Sequence, residues 1–247
     1  MFEEGHIFRG RKPVNWSPSS RTALAEAELE YPPGHTSTSV YAAFQVWKTL
    51  QLLGLIIEFG VKEVPPALET YMGIGGGLAV AVWTTTPWTL PANLAVAVSE
   101  TIEYAVVEHA SLGARKLLIA KELVDTVSGK LGLEEGDALK VVQTLSGKDL
   151  LGIKYQHPLC ERVSEVVIGG DYITTETGTG LVHTAPGHGQ EDYATGLKYG
   201  LPLLSPVDDS GKFTMEAGER FAGLSVLKVR RTFLLISLPP PHPPLFF

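Results

Sequence analysis

The 247 residues carry 27 acidic and 20 basic side chains, a net charge of −7, which argues against a general nucleic-acid-binding surface and leaves any RNA contact to a local patch or another chain. A hydrophobic content of 44% supports a real core. The single Cys160 excludes an internal disulfide and any cysteine-based zinc cluster.

Met1 is followed by Glu3 and Glu4, unlike a secretory or organellar presequence, and no apolar run is long enough to span a bilayer. The expectation is a soluble chain, cytoplasmic or organellar, with no membrane contact. Residues 9–18 form a basic, extended opening broken by prolines. In Glu26 to Tyr31, glutamates alternate with Ala27, Leu29 and Tyr31, the pattern of a half-buried strand. Pro32, Pro33 and Gly34 turn the chain, and Ser39 to Val46 is predicted to return as the second arm of a hairpin. Residues 47–62 are predicted as an apolar helix. Residues 63–77, with Pro65, Pro66 and a triple glycine at 75–77, read as a loose connector.

From Leu78 the pattern is mostly β. Short Val/Ile/Leu strands are predicted at Leu78 to Trp83, Asn93 to Val98, Tyr104 to Glu108, Lys116 to Ala120, Leu139 to Thr144 and Glu165 to Ile168, with one helix at Lys121 to Leu131. Such spacing suggests a barrel or sandwich. Gly211 to Lys228 reads as turns with a short strand. Arg230 to Phe247 is a proline-rich tail.

Two stretches carry chemistry. In Gly178 to Tyr193, Leu181 and Val182 read as a strand ending at His183; Pro186, Gly187 and Gly189 force a turn, and a helix starts at Gln190 and stops at Gly200. His183 then sits at a strand end and Asp192 in the first turn of the next helix, a junction that often holds functional side chains. The helix dipole favours Asp192 there in any case. His183, His188 and Asp192 match no recognised metal-ligand geometry, so no metal is expected. The second stretch, Trp83 to Asn93, sets Thr84, Thr85 and Thr86 directly after a strand, where Pro87 could bend the chain and bring the hydroxyls into one pocket. Threonine is also simply a good strand residue, and Pro-Trp a packed turn.

Trp83 to Asn93 and Gly178 to Tyr193 together resemble the editing-domain signatures of the isoleucyl-tRNA synthetase family, with wording closest to its bacterial and plant-organelle members. Lys12 to Pro18 followed by Thr22 to Glu28 resembles the passage from that family's catalytic core into the editing insertion. The sister valyl and leucyl enzymes carry Thr-Thr-Arg-Pro where this chain has Thr85, Thr86, Pro87 and Trp88. The resemblance covers about residues 8–46 and 78–228. It divides the chain into a connecting segment (1–46), a divergent insertion or linker (47–77), an editing domain (78–228) and an unrelated tail (229–247).

The resemblance implies a mainly β, barrel-like editing domain of a class I aminoacyl-tRNA synthetase that hydrolyses mischarged valyl-tRNA(Ile). By that resemblance Asp192 holds the substrate ammonium, Thr84, Thr85 and Thr86 surround the ester and attacking water, Trp88 shapes the pocket, and His183 walls off the isoleucine side chain. The implied partners are the tRNA(Ile) acceptor end, misacylated valine and the remainder of a synthetase. The family's ATP-site signatures, His-Ile-Gly-His and Lys-Met-Ser-Lys-Ser, do not occur here, so ATP and magnesium are expected for the parent enzyme and no cofactor for this chain. Two other classes stay open. One is a catalytically silent structural or tRNA-contacting remnant. The other is an unrelated esterase using His183 and Asp192, which would need a nearby serine or cysteine nucleophile.

Overall fold

The computed structural model describes residues 1–34, 39–45, 65–71, 77–112, 115–134, 136–157 and 159–227. The strands are β1 (Asn15–Ser17), β2 (Thr22–Leu24), β3 (Val40–Gln45), β4 (Gly77–Thr84), β5 (Ala95–Val98), β6 (Glu103–Glu108), β7 (Arg115–Ala120), β8 (Lys140–Ser146), β9 (Lys154–Gln156), β10 (Val163–Ile168) and β11 (Val182–Thr184). Two α-helices, α1 (Val124–Lys130) and α2 (Gln190–Tyr199), accompany them. One sheet runs β3-β4-β7-β6-β8, a second β11-β5-β10-β9, and β1 and β2 form a small hairpin of their own. β4 pairs with β7, and β5 with β10, in parallel; the other pairs are antiparallel.

Strand β5 of the second sheet is buried on both faces, and its sequence says how. Along β5, Val96 and Val98 join the main core shared with the first sheet, while Ala95 and Ala97 join a smaller cluster with Val167 and Ile173. Tyr199 and Leu201, from the end of α2 and just beyond it, pack on that smaller cluster. Period-2 alternation of large and small apolar residues thus sends the bulky ones between the sheets and leaves alanines where the helix must come close. His183 is in register with Val96, so it lies on the inter-sheet face. That placement governs its chemistry.

Mainly β architecture, strands β4 to β8, β10 and β11, and the helix near 121–131 match the expectation, the helix opening with a 3-10 turn at Lys121–Leu123, whereas β9 was not expected. Among the described residues the strands form two open sheets sharing one core, with no closed barrel. The predicted hairpin at 26–46 is not formed. Glu26–Glu28 is an exposed 3-10 turn in which the Glu28 carboxylate accepts from the Ala25 N–H, and β3 pairs with β4 instead. The alternation there had no core to face, and Ala- and Glu-rich sequence turns readily. The proline-broken opening nonetheless makes β1, which pairs with β2. Within the expected connector, Pro66–Tyr71 is a 3-10 segment that buries Leu68 completely. The helix predicted at 47–62 and the tail at 229–247 lie outside the described residues.

Candidate functional site

The site begins where β4 ends. Thr84 is buried, whereas Thr85 and Thr86 are exposed. The Thr84 hydroxyl oxygen accepts the Thr86 N–H at 3.0 Å and lies 3.1 Å from the Thr86 hydroxyl, a side-chain-to-backbone turn that halts the strand. Pro87, with φ already fixed, then opens a 3-10 turn over Pro87–Ala92. Trp88 is half-buried, its ring 6.5 Å from that of His188.

Successive carbonyls of this turn are fastened from behind. The His157 ring Nε2 lies 2.9 Å from the Leu90 carbonyl and must donate, since a carbonyl only accepts, and His157 Nδ1 accepts from the Leu159 N–H at 3.0 Å. The Arg162 guanidinium donates to the Pro91 carbonyl at 3.1 Å and the Asn93 carbonyl at 2.7 Å. Both residues come from the β9–β10 hairpin. Burial, with Arg162 nearby, pushes His157 down to about 4, so it stays neutral.

His183 joins the two sequence motifs. Its Nε2 lies 2.8 Å from the Thr89 hydroxyl and its Nδ1 2.9 Å from the Asn93 side-chain nitrogen. Asn93 Nδ2 also donates to the Ala95 carbonyl at 2.8 Å, which fixes the amide's orientation, and Tyr155 donates its hydroxyl to Asn93 Oδ1 at 2.6 Å. The second Asn93 N–H therefore points to His183 Nδ1, which must be the lone pair; the neutral ring carries its proton on Nε2 and donates to Thr89. Thr89 in turn donates to the Thr86 carbonyl at 2.8 Å. Every proton in the chain has one direction. Burial, reinforced by His157 and His188, pushes His183 down to about 3. With 8% exposure and both nitrogens engaged, it is neither a free base nor an available metal ligand.

Asp192 differs. It lies half-buried in the first turn of α2, and its Oδ1 accepts the Ala185 N–H at 2.9 Å. Its Oδ2 fills the space a Cβ at 189 would need, so glycine is required there for the carboxylate to approach. Gly200 ends α2 in the left-handed region at φ 65°, as the sequence suggested. Burial raises Asp192 above the ordinary carboxylate range, opposed by the Ala185 N–H and its own N–H. Glu191 is exposed.

The structure thus brings Thr84, Thr86 and His183 together through Thr89 and brings Trp88 beside the turn preceding Asp192. Thr85 sits at the exposed edge of that cluster. Sequence reasoning missed Thr89, Asn93, Tyr155, His157 and Arg162 as parts of the site. Thr89 and Asn93 lay inside a motif already noticed; for the other three the spacing offers no signal. The esterase alternative finds no support at His183, whose two nitrogens engage Thr89 and Asn93 and no serine or cysteine, and burial raises the Cys160 thiol, the reverse of an activated nucleophile. Among the described residues no group of three or more His, Cys, Asp or Glu converges to hold a metal ion, and no helix is long and apolar enough to cross a membrane.

The chain and its fold have known counterparts. The model of class I tRNA synthetases (I, L, M and V) matches residues 1–167, and the chain belongs to that family. Within it, the chain is similar to the isoleucine–tRNA ligases: 56% identical over 231 residues to that of Nostoc punctiforme and 53% over 240 residues to that of Thermosynechococcus vestitus. Those alignments cover 92% and 96% of this chain but 22% and 23% of the relatives, so the chain spans about a fifth of their length. Among solved structures, GlLeuRS-CP1 superposes with a TM-score of 0.60 at 17% identity, covering 83% of this chain and 100% of that one. The P. knowlesi cytosolic leucyl-tRNA synthetase editing domain follows at 0.51 and 11%, covering 82% and 95%. At such identities the likeness establishes the fold.

Proposed function

We propose that the chain carries the editing activity of an isoleucine–tRNA ligase: hydrolysis of valyl-tRNA(Ile) at a site formed by Thr84, Thr85, Thr86, Trp88, His183 and Asp192. A hydrophobic pocket gains only about 1–3 kcal/mol from one extra methylene, and the isoleucyl enzyme's choice between isoleucine and valine is itself the standard illustration of that limit. A second, smaller sieve removes the errors. The observation that carries the reading is the joining of two motifs 94 residues apart through the Thr89–His183 contact, with a half-buried carboxylate held on the Ala185 N–H, two residues beyond His183.

An aminoacyl ester is already activated, so the protein's task is to hold ester and water in reacting geometry. Asp192 receives the α-ammonium. Burial raises its proton affinity, and an ammonium bound beside the carboxylate would lower it again. The hydroxyls of Thr84, Thr85 and Thr86 line the ester and water. Trp88 closes one side, and the rigid His183 ring sets a wall that valine clears and isoleucine does not. The partners are the tRNA(Ile) acceptor end and the remainder of a synthetase. The test is deacylation by the purified chain: valyl-tRNA(Ile) is expected to be hydrolysed faster than isoleucyl-tRNA(Ile), and both rates matching the protein-free control would refute the reading.

A further inference from the structure

The hydrogen-bond directions around His183 extend beyond the residues assigned above. Tyr155 is fully buried on β9, 62 residues from its partner Asn93. Its hydroxyl proton has Asn93 Oδ1 as acceptor, and Asn93 is itself fully buried. At the other end of the relay, Thr89 takes the His183 proton and passes its own to the Thr86 carbonyl, the last backbone oxygen before the turn at Pro87. We infer that Tyr155 and Thr89 are positioning residues of the editing site, holding His183 as its Nε2–H tautomer and thereby fixing the turn that presents Thr84 to Thr86.

The direction matters for the reaction. If the His183 proton moved to Nδ1, it would face the Asn93 N–H, donor against donor. Nε2 would then need the Thr89 proton, leaving the Thr86 carbonyl with the Thr89 backbone N–H at 2.9 Å and without the hydroxyl. The Thr89 hydroxyl would reverse its polarity toward the Thr86 hydroxyl, 3.4 Å away, and so disturb the group nearest the ester. Neither positioning residue is asked to touch substrate. The inference rests on the editing reading for its effect on rate, but the state of the ring can be read without substrate.

The experiment uses the full chain labelled with 15N-histidine. In the wild type, the two-bond 15N–1H pattern of His183 is expected to report a neutral Nε2–H ring between pH 7 and 5. Tyr155→Phe keeps the buried ring and removes only the hydroxyl; it should shift or broaden the His183 nitrogens and lower kcat for valyl-tRNA deacylation by roughly fivefold, the size of one buried hydrogen bond, with KM little changed. Thr89→Val should do the same and Thr89→Ser should restore both readouts. A wild-type ring protonated on Nδ1 or charged in that range overturns the inference, as do variants that leave ring signals and kcat unchanged. Loss of thermal stability alone, with kcat intact, also overturns it. A wild-type chain with the expected ring state but no deacylation defeats the editing reading instead.

Discussion

His183 and Asp192 lie nine positions apart in one motif and meet opposite fates. His183 is on the inter-sheet face, with both ring nitrogens committed and its charge suppressed. Asp192 is half-buried at a helix start, with one oxygen on the Ala185 N–H and the other against Gly189. One residue is saturated by its own protein; the other is a desolvated carboxylate with no ion pair among the described residues. The first suits a wall and a brace, the second a ligand contact. Burial by itself does not separate these roles. The inventory of partners does.

Breaking the brace should have the largest effect on stability. His183→Ala leaves a cavity, strands an Asn93 N–H and takes from the Thr89 oxygen its donor, and should cost about 2–4 kcal/mol in denaturant unfolding. The same variant should let isoleucyl-tRNA be hydrolysed, lowering the valyl-to-isoleucyl rate ratio; an unchanged ratio would reduce His183 to a brace alone. Gly189→Ala forces a methyl group onto the Asp192 carboxylate and should cost roughly 1–3 kcal/mol while displacing the ligand contact, read as joint losses of stability and deacylation.

Acid sharpens the comparison in a different way. His183 and His157 titrate near 6.5 when unfolded but near 3 and 4 in the fold. Below 6.5 the unfolded chain binds protons that the folded chain refuses, so their contribution is present above that pH and is lost as pH falls towards 4 and 3. Each should add a slope of up to about 1.4 kcal/mol per pH unit in that window, measurable by denaturant unfolding at several pH values. Asp192 has the opposite sign, because its raised affinity favours the folded state in acid and is lost as pH rises through its folded value. The smallest effect belongs to Glu191→Ala, an exposed neighbour pointing about 100° away from Asp192 on the helix, which should leave deacylation nearly unchanged.

Much of this was legible from the sequence where pattern and environment agree. The strands from β4 to β8, a short strand carrying His183 (which runs one residue further, to Thr184) and the helix with Asp192 in its first turn follow from alternation and from glycine and proline placement. The hairpin expected at 26–46 failed because alternation signals a strand only where one face finds a core, and Glu26–Glu28 finds none. The brace behind the threonine turn was invisible because Tyr155, His157 and Arg162 reach it through the pairing of β9 with β10, with separations of 62 to 71 residues. Local patterns encode elements. Which polar groups meet across a core depends on topology.

The central claim, that Asp192 holds the substrate ammonium, is tested most directly by deleting each partner of that contact in turn. Valyl-tRNA(Ile) and N-acetylvalyl-tRNA(Ile), which lacks the ammonium, are to be deacylated by the wild type and by Asp192→Ala, with thermal unfolding followed alongside. A charge-assisted contact of about 1.5–3 kcal/mol predicts that the wild type prefers the free amine by at least roughly tenfold, and that Asp192→Ala loses at least about tenfold on valyl-tRNA and almost all of that preference. A folded Asp192→Ala variant that keeps the wild-type preference would contradict the claim.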